Sequence, residues 1–155
     1  MVHSLLPDAV CVDMFSGSGA LGIEALSRGA ARSYFCDKSP ASIEALKENL
    51  NACGVGGERA VVIAKDWRGA ASRIDEKCNL VFIDAPFNMC EHYPQILESL
   101  ADGHVLEDGA CLVIERDASA GEYAMPRGFA RIAGKRYGSV GVDLIVFTDD
   151  GEGND

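Results

Sequence analysis

Carboxylates and a glycine-rich turn recur where apolar runs end, and that placement carries the chemistry of this sequence. Gly17-Ser18-Gly19-Ala20-Leu21-Gly22 is a G-x-G-x-x-G between an apolar run and a helical segment. Glycines there let the backbone close on a ligand at a helix N-terminus. Asp37 ends the next apolar run, at the distance of about 20 residues where an acid holds a ribose hydroxyl. This pair alone also fits a nicotinamide-dependent oxidoreductase. Asp13 weighs against that reading. A carboxylate at the mouth of the first run repels a pyrophosphate but suits the ammonium and sulfonium groups of S-adenosylmethionine. Its alternative role is to cap the turn.

Two further run ends add to the pattern. Asp66-Trp67 follows Val61-Val62-Ile63; the acid can accept from an adenine amino group with Trp67 as an apolar wall, or both can cap the next helix. Asp84-Ala85-Pro86-Phe87 follows Leu80 to Ile83. The amine of a nucleic-acid base is a poor nucleophile because its lone pair is delocalised into the ring. A carboxylate and a backbone carbonyl can orient its N–H groups, expose the lone pair and take the proton late. Asp84 is that acceptor, Pro86 helps to present the carbonyl, and Phe87 stacks on a base that must be flipped or single-stranded. The competing reading is a tight turn with an N-capping aspartate and a core phenylalanine.

The elements that must position these residues alternate. Apolar, β-branched runs at Ala9–Phe15, Ser33–Cys36, Ala60–Ile63, Leu80–Ile83 and Cys111–Ile114 predict strands. Helices are predicted at Ala20–Arg28, from Ser39-Pro40 to about Cys53 and Gly54, over Arg68–Ile74 and over Tyr93–Leu100, with Gly29 as a stop and Ser39-Pro40 as a cap and first turn. Phe129–Ala133 and Val140–Phe147 predict a final hairpin turning at Tyr137-Gly138-Ser139. The result is an α/β chain whose parallel strand ends meet along one edge, where open sheets of this kind bind ligands.

Composition sets the limits. At 155 residues the chain suits one domain, read as residues 1–148 followed by an acidic, flexible tail at 149–155. A hydrophobic fraction of 48% and a charged fraction of 25% are ordinary for a globular protein. No apolar run has the roughly 20 residues of a membrane span, and Met1 to Val10 does not read as a signal peptide, so a cytoplasmic monomer is expected. The six cysteines form no CxxC pair and the three histidines are scattered; reduced, buried thiols and no metal site are expected. A formal charge of −10 opposes a phosphate backbone at long range. Arg127, Arg131, Lys135 and Arg136 cluster in sequence, but strand alternation scatters them over two faces as a solvated surface.

The stretch from Val12-Asp13-Met14-Phe15-Ser16-Gly17 through Gly22-Ile23-Glu24-Ala25-Leu26 to Gly29-Ala30 resembles, nearly residue for residue, the cofactor motif of the bacterial 16S rRNA guanine-N2 methyltransferases of the RsmD type. Asp37-Lys38 resembles that family's ribose-binding acid, Asp84 to Phe87 its D-P-P-F/Y motif, and Arg136-Tyr137-Gly138 its final turn. The resemblance implies a Rossmann-like methyltransferase fold, with a mostly parallel seven-stranded sheet and an antiparallel C-terminal hairpin. It implies S-adenosylmethionine held by Asp13, Phe15, Ser16, Gly17, Gly19, Asp37, Lys38, Asp66 and Trp67. It also implies transfer to the exocyclic N2 of a guanine in 16S rRNA or a small-subunit particle, with Asp84, Pro86 and Phe87 at the reacting amine. Two features depart from the family pattern. Ala85 stands where the family has its first proline, and because the first strand is entered within ten residues the family's basic N-terminal segment is expected to be missing. Adenine-N6 transfer, the oxidoreductase and a non-catalytic remnant of the family therefore stay open.

Overall fold

The computed structural model describes residues 3–150. Seven strands, β1 (Val10–Asp13), β2 (Arg32–Cys36), β3 (Ala60–Ile63), β4 (Cys78–Asp84), β5 (Leu106–Asp117), β6 (Phe129–Tyr137) and β7 (Val140–Phe147), form one sheet. Its order is β3-β2-β1-β4-β5-β7-β6. The first five pair in parallel, and β7 runs antiparallel to both β5 and β6. Four helices, α1 (Ala20–Ser27), α2 (Pro40–Ala52), α3 (Trp67–Ala70) and α4 (Tyr93–Asp102), lie in the connections. The predicted parallel sheet with its closing antiparallel hairpin is therefore present.

Strand alternation divides the core between two faces. Cys11, Phe35, Leu80 and Phe82 pack with Ala25 and Leu26 of α1 and Ile43, Leu46 and Leu50 of α2. Val12, Tyr34, Val81, Ile83, Leu112 and Ile114 pack instead with Trp67 of α3 and Tyr93, Ile96, Leu97 and Leu100 of α4. The Ser39 side chain accepts from Ser42 N and Pro40 opens α2, as the sequence signals anticipate.

Where boundaries differ from the sequence reading, the cause is local. Strand β5 begins five residues before the predicted Cys111, through the exposed Glu107, Asp108 and Gly109, because its pairing with β4 shifts register between Cys78 and Leu80. Strand β6 continues past Ala133 to Tyr137; an edge strand needs no buried face, so apolar alternation under-reads it. The predicted Arg68–Ile74 helix is one α turn followed by a 3-10 turn over Ala71–Arg73. Cys11, Cys36, Cys78 and Cys111 are buried free thiols, while Cys53 is exposed.

Helix α1 sits closely on β2 because Gly22 has no side chain. A Cβ built there meets Phe35 Cε1 at 2.4 Å and Ser33 Oγ at 2.8 Å, and both residues are fully buried. Gly22→Ala should lower unfolding stability by about 1–3 kcal/mol through overpacking, read as a reduced urea midpoint with an unchanged denaturant slope. An unaltered midpoint would mean that α1 shifts freely on the sheet.

Candidate active site

The C-terminal ends of the parallel strands share one edge of the sheet, and the loops leaving them enclose a cavity of about 600 Å³, a size suited to a nucleoside-like ligand. The loop after β1 is built by backbone bonds. Met14 N donates to Phe82 O, Ser16 N to Cys36 O, and Gly19 N to Ser16 O at 2.8 Å. Gly17 (φ 52°) and Gly19 (φ 93°) take the left-handed conformation this path requires. Gly19 also faces α2, since a Cβ there would lie 2.3 Å from Leu46 Cδ1, whereas open space surrounds the Cβ position of Gly17.

Asp37 anchors this loop. Its Oδ2 accepts from Gly17 N at 2.9 Å and its Oδ1 from Ser39 N at 2.8 Å. The cap and ligand readings of Asp66 prove compatible. Its Oδ1 accepts from Arg68 N and its Oδ2 from Arg68 Nη1, both at 3.0 Å, while the residue also lines the cavity. Trp67 is 8% exposed. Its ring lies 6.3 Å from that of His92 and 4.7 Å from the Arg68 guanidinium carbon.

The sequence-predicted residues divide into two groups. Phe15, Gly17, Asp37, Lys38, Asp66, Trp67, Asp84 and Pro86 line the cavity together. Asp13 and Ser16 lie behind it, buried, with Asp13 Oδ1 and Ser16 Oγ lacking a hydrogen-bond partner; Gly19 caps α1 beneath the loop. Phe87 begins the 3-10 turn Phe87–His92, and its side chain lies outside the described residues. Met14, Arg68 and Met89 also line the cavity and were not singled out from the sequence, while Ser39 was read only as a cap and Ala85 only as a departure from the family's proline. For Ser39 and Arg68 the available signal was adjacency to Asp37 and Trp67.

Nothing in the sequence pointed to Glu115. It pairs in register with Asp84 across β4 and β5, which puts the two side chains next to one another on one face of the sheet. Burial, and then the neighbouring Asp84 carboxylate, raise the Glu115 pKa. The Tyr93 hydroxyl donates to the Glu115 carbonyl at 3.0 Å and fixes the backbone there.

These features fit S-adenosylmethionine. Asp37 and Lys38 flank the glycine loop where a ribose would lie, Trp67 and Met14 supply apolar walls, and the acids offer a negative field to a cationic ligand. Asp13 adds to that field from beneath. Burial pushes its carboxyl up to about 7; the bond from the Phe15 backbone opposes the rise, and the nearby Asp84 and Asp37 add to it. Because the native state holds this proton more tightly than the unfolded chain, the contribution of Asp13 to stability is greatest below the ordinary carboxylate pKa. It falls as pH rises through about 4 to 7. Denaturant unfolding of the ligand-free protein should show that decline, with a slope of at most about 1.4 kcal/mol for each pH unit across the window. Asp13→Asn should flatten it; an equal slope in both proteins would assign the titration elsewhere.

Comparison with known proteins agrees with this geometry. The family model described as "Conserved hypothetical protein 95" matches residues 1–146. The chain is 31% identical over 150 residues to "Ribosomal RNA small subunit methyltransferase D" of Escherichia coli strain K12, covering 96% of this chain and 73% of the relative. The protein of the same name from Haemophilus influenzae is 32% identical over 111 residues, covering 69% and 56% respectively. Among solved structures, "Putative methyltransferase yhhF" from Escherichia coli superposes with a TM-score of 0.83 at 30% identity, over 96% of this chain and 82% of that one. With the glycine loop, the acids at the strand ends, the sheet order and these matches in agreement, the chain belongs to the Conserved hypothetical protein 95 family, the RsmD-type methyltransferases.

Proposed function

We propose that this protein transfers a methyl group from S-adenosylmethionine to the exocyclic N2 of a guanine in 16S rRNA. The observation that carries the reading is the convergence of Asp37, Asp66, Trp67, Asp84 and Pro86 on one cavity beside the glycine loop. The named relatives, ribosomal RNA small subunit methyltransferases, support the choice of substrate.

S-adenosylmethionine supplies an electrophilic methyl group bonded to a positive sulfur. Asp37 and Lys38 hold its ribose, Asp66 and Trp67 its base, and the buried Asp13 favours its cationic end. Asp84 accepts one N–H of the guanine amine and so directs the nitrogen lone pair toward the methyl carbon. The Pro86 carbonyl is already bonded to Met89 N at 2.9 Å, which leaves the Ala85 carbonyl as the loop acceptor for the second N–H. Alanine at position 85 keeps that carbonyl; what it gives up is one fixed φ angle. Asp84 would take up the amine proton released when the nitrogen accepts the methyl group. Glu115, whose pKa is raised beside Asp84, can in its protonated form donate a hydrogen bond to Asp84 and so orient the accepting carboxylate. Phe87, in the same loop, stacks on the base.

Asp84→Ala should reduce transfer to 16S rRNA or small-subunit particles by at least about 100-fold, while calorimetry shows S-adenosylhomocysteine binding within about 3-fold of native. Full activity in this variant would remove Asp84 from the mechanism. Glu115→Gln preserves a donor to Asp84 and should retain most of kcat, whereas Glu115→Leu should lose about 10-fold or more. Equal losses in the two variants would argue against an orienting hydrogen bond.

A further inference from the structure

The sheet places a basic and aromatic surface in line with the cavity. Asp84 pairs with Glu115, Glu115 with Val142, and Val142 with Lys135. These four residues form one row across β4, β5, β7 and β6, and side chains in one row share a face of the sheet. Lys135 therefore lies three strand spacings, about 14 Å, from Asp84 on the same face. The next row toward the hairpin tip contains Asp117, Val140 and Tyr137. Tyr137 is 58% exposed, and Lys135 Nζ sits 5.3 Å from its ring centre. Arg136, between them in sequence and on the opposite face of the strand, donates from Nε to Gly138 O at 2.8 Å across the turn.

The charges around this surface are sorted. Residues 123–142 contain Arg127, Arg131, Lys135 and Arg136 and no acid, in a chain of formal charge −10. Arg131 is turned back onto the buried Asp143 at 3.3 Å, and Arg127 lies 3.7 Å from Asp150. Lys135 and Arg136 stand at the end of the hairpin, nearest the cavity. Asp117, the carboxylate on the Tyr137 row, accepts both the backbone N–H and the hydroxyl of Ser119.

We infer that the outer end of the β6–β7 hairpin, with Lys135 and Tyr137 on the Asp84 face and Arg136 on the other face of the same edge strand, holds the single-stranded RNA flanking the target base. The inference rests on the proposed reading of Asp84 as the target end of the site. About 14 Å is the span of two to three nucleotides, so a strand whose base reaches Asp84 passes over this edge. Lysine and arginine meet its phosphates, and an exposed tyrosine offers a stacking face to any base. Elsewhere the acidic surface repels the backbone, so the hairpin also sets the strand's direction of approach.

The test is fluorescence anisotropy of a labelled single-stranded RNA dodecamer, titrated with the full-length protein at several salt concentrations. Lys135→Glu/Arg136→Glu should weaken binding by about 10-fold or more and reduce the slope of log affinity against log salt by about 1.4. Tyr137→Ala should weaken binding about 10-fold with the salt slope unchanged. Arg73→Glu/Lys77→Glu, two exposed positions in the segment leading into β4, makes the same change in net charge away from the hairpin, and S-adenosylhomocysteine affinity reports an intact fold. A Lys135/Arg136 variant that binds no more weakly than the Arg73/Lys77 control overturns the inference, as does a native protein with no measurable RNA affinity. Native RNA binding that depends on the hairpin, with no methyl transfer to any RNA, supports this surface and sinks the proposed function instead.

Discussion

One carboxylate holds the cofactor end of this molecule together. Asp37 accepts from Gly17 N with one oxygen and from Ser39 N with the other, so it ties the glycine loop after β1 to the turn that starts α2. Bonds to an ionised acceptor are stronger than neutral ones, and this loop needs such an anchor because two of its glycines have left-handed backbones. The tie also acts through packing. Leu46 of α2 lies beneath Gly19, so the helix that Asp37 helps to start supports the loop that Asp37 holds. Asp37 itself is fixed because its N–H donates to Ile63 O at the end of β3.

The electrostatics of the site follow from the same edge. Parallel strands ending side by side bring Asp13, Asp37 and Asp84 close enough that the charges of the latter two raise the pKa of the first. This concentration of negative charge is unfavourable until a cation enters, which is how a site can prefer a sulfonium ligand to its neutral product. Glu115, the in-register neighbour of Asp84, has its own pKa raised by burial and by the Asp84 charge. Farther along the sheet the sign reverses, with the basic residues of β6 lying outside the acids of β4 and β5. An overall acidic charge therefore does not exclude a polyanionic substrate, because the sheet separates the acids at the cofactor from the bases at its outer edge.

The closing strands need their own support, since β6 is an exposed edge. Asp143, 1% exposed on β7, takes Arg116 Nε and the Tyr123 hydroxyl at 2.8 Å each, with Arg131 Nε at 3.3 Å. A buried carboxylate is tolerable only when paired in this way. The cluster joins β5, β6, β7 and the segment between β5 and β6, and Tyr123 continues it onto Tyr93 of α4 at 5.3 Å between rings. Since the Tyr93 hydroxyl holds the Glu115 backbone, the outer sheet and the Asp84 pair share one framework.

Sequence alone determined the alternation of strands and helices, the glycine turn, and the acids at strand ends, because each depends on residues adjacent in the chain. A capping serine followed by proline, a glycine between a strand and a helix, and an apolar run closing on an acid are local patterns with local causes. The same reasoning could read Asp66 as a cap or as a ligand residue, and only the folded chain shows that it bonds Arg68 while facing the cavity. It placed Asp13 beside the ligand, whereas the fold puts its side chain behind the loop. It did not find Glu115, whose meaning comes from a partner 31 residues away across a sheet. Nor could it see that Lys135 shares a row with Asp84, since four basic residues in sequence read as a solvated surface until strand register gives them a face. Register and burial arise from long-range pairing, which a single chain of letters does not contain; they decide which carboxyls become neighbours and which cation shares a face of the sheet with Asp84.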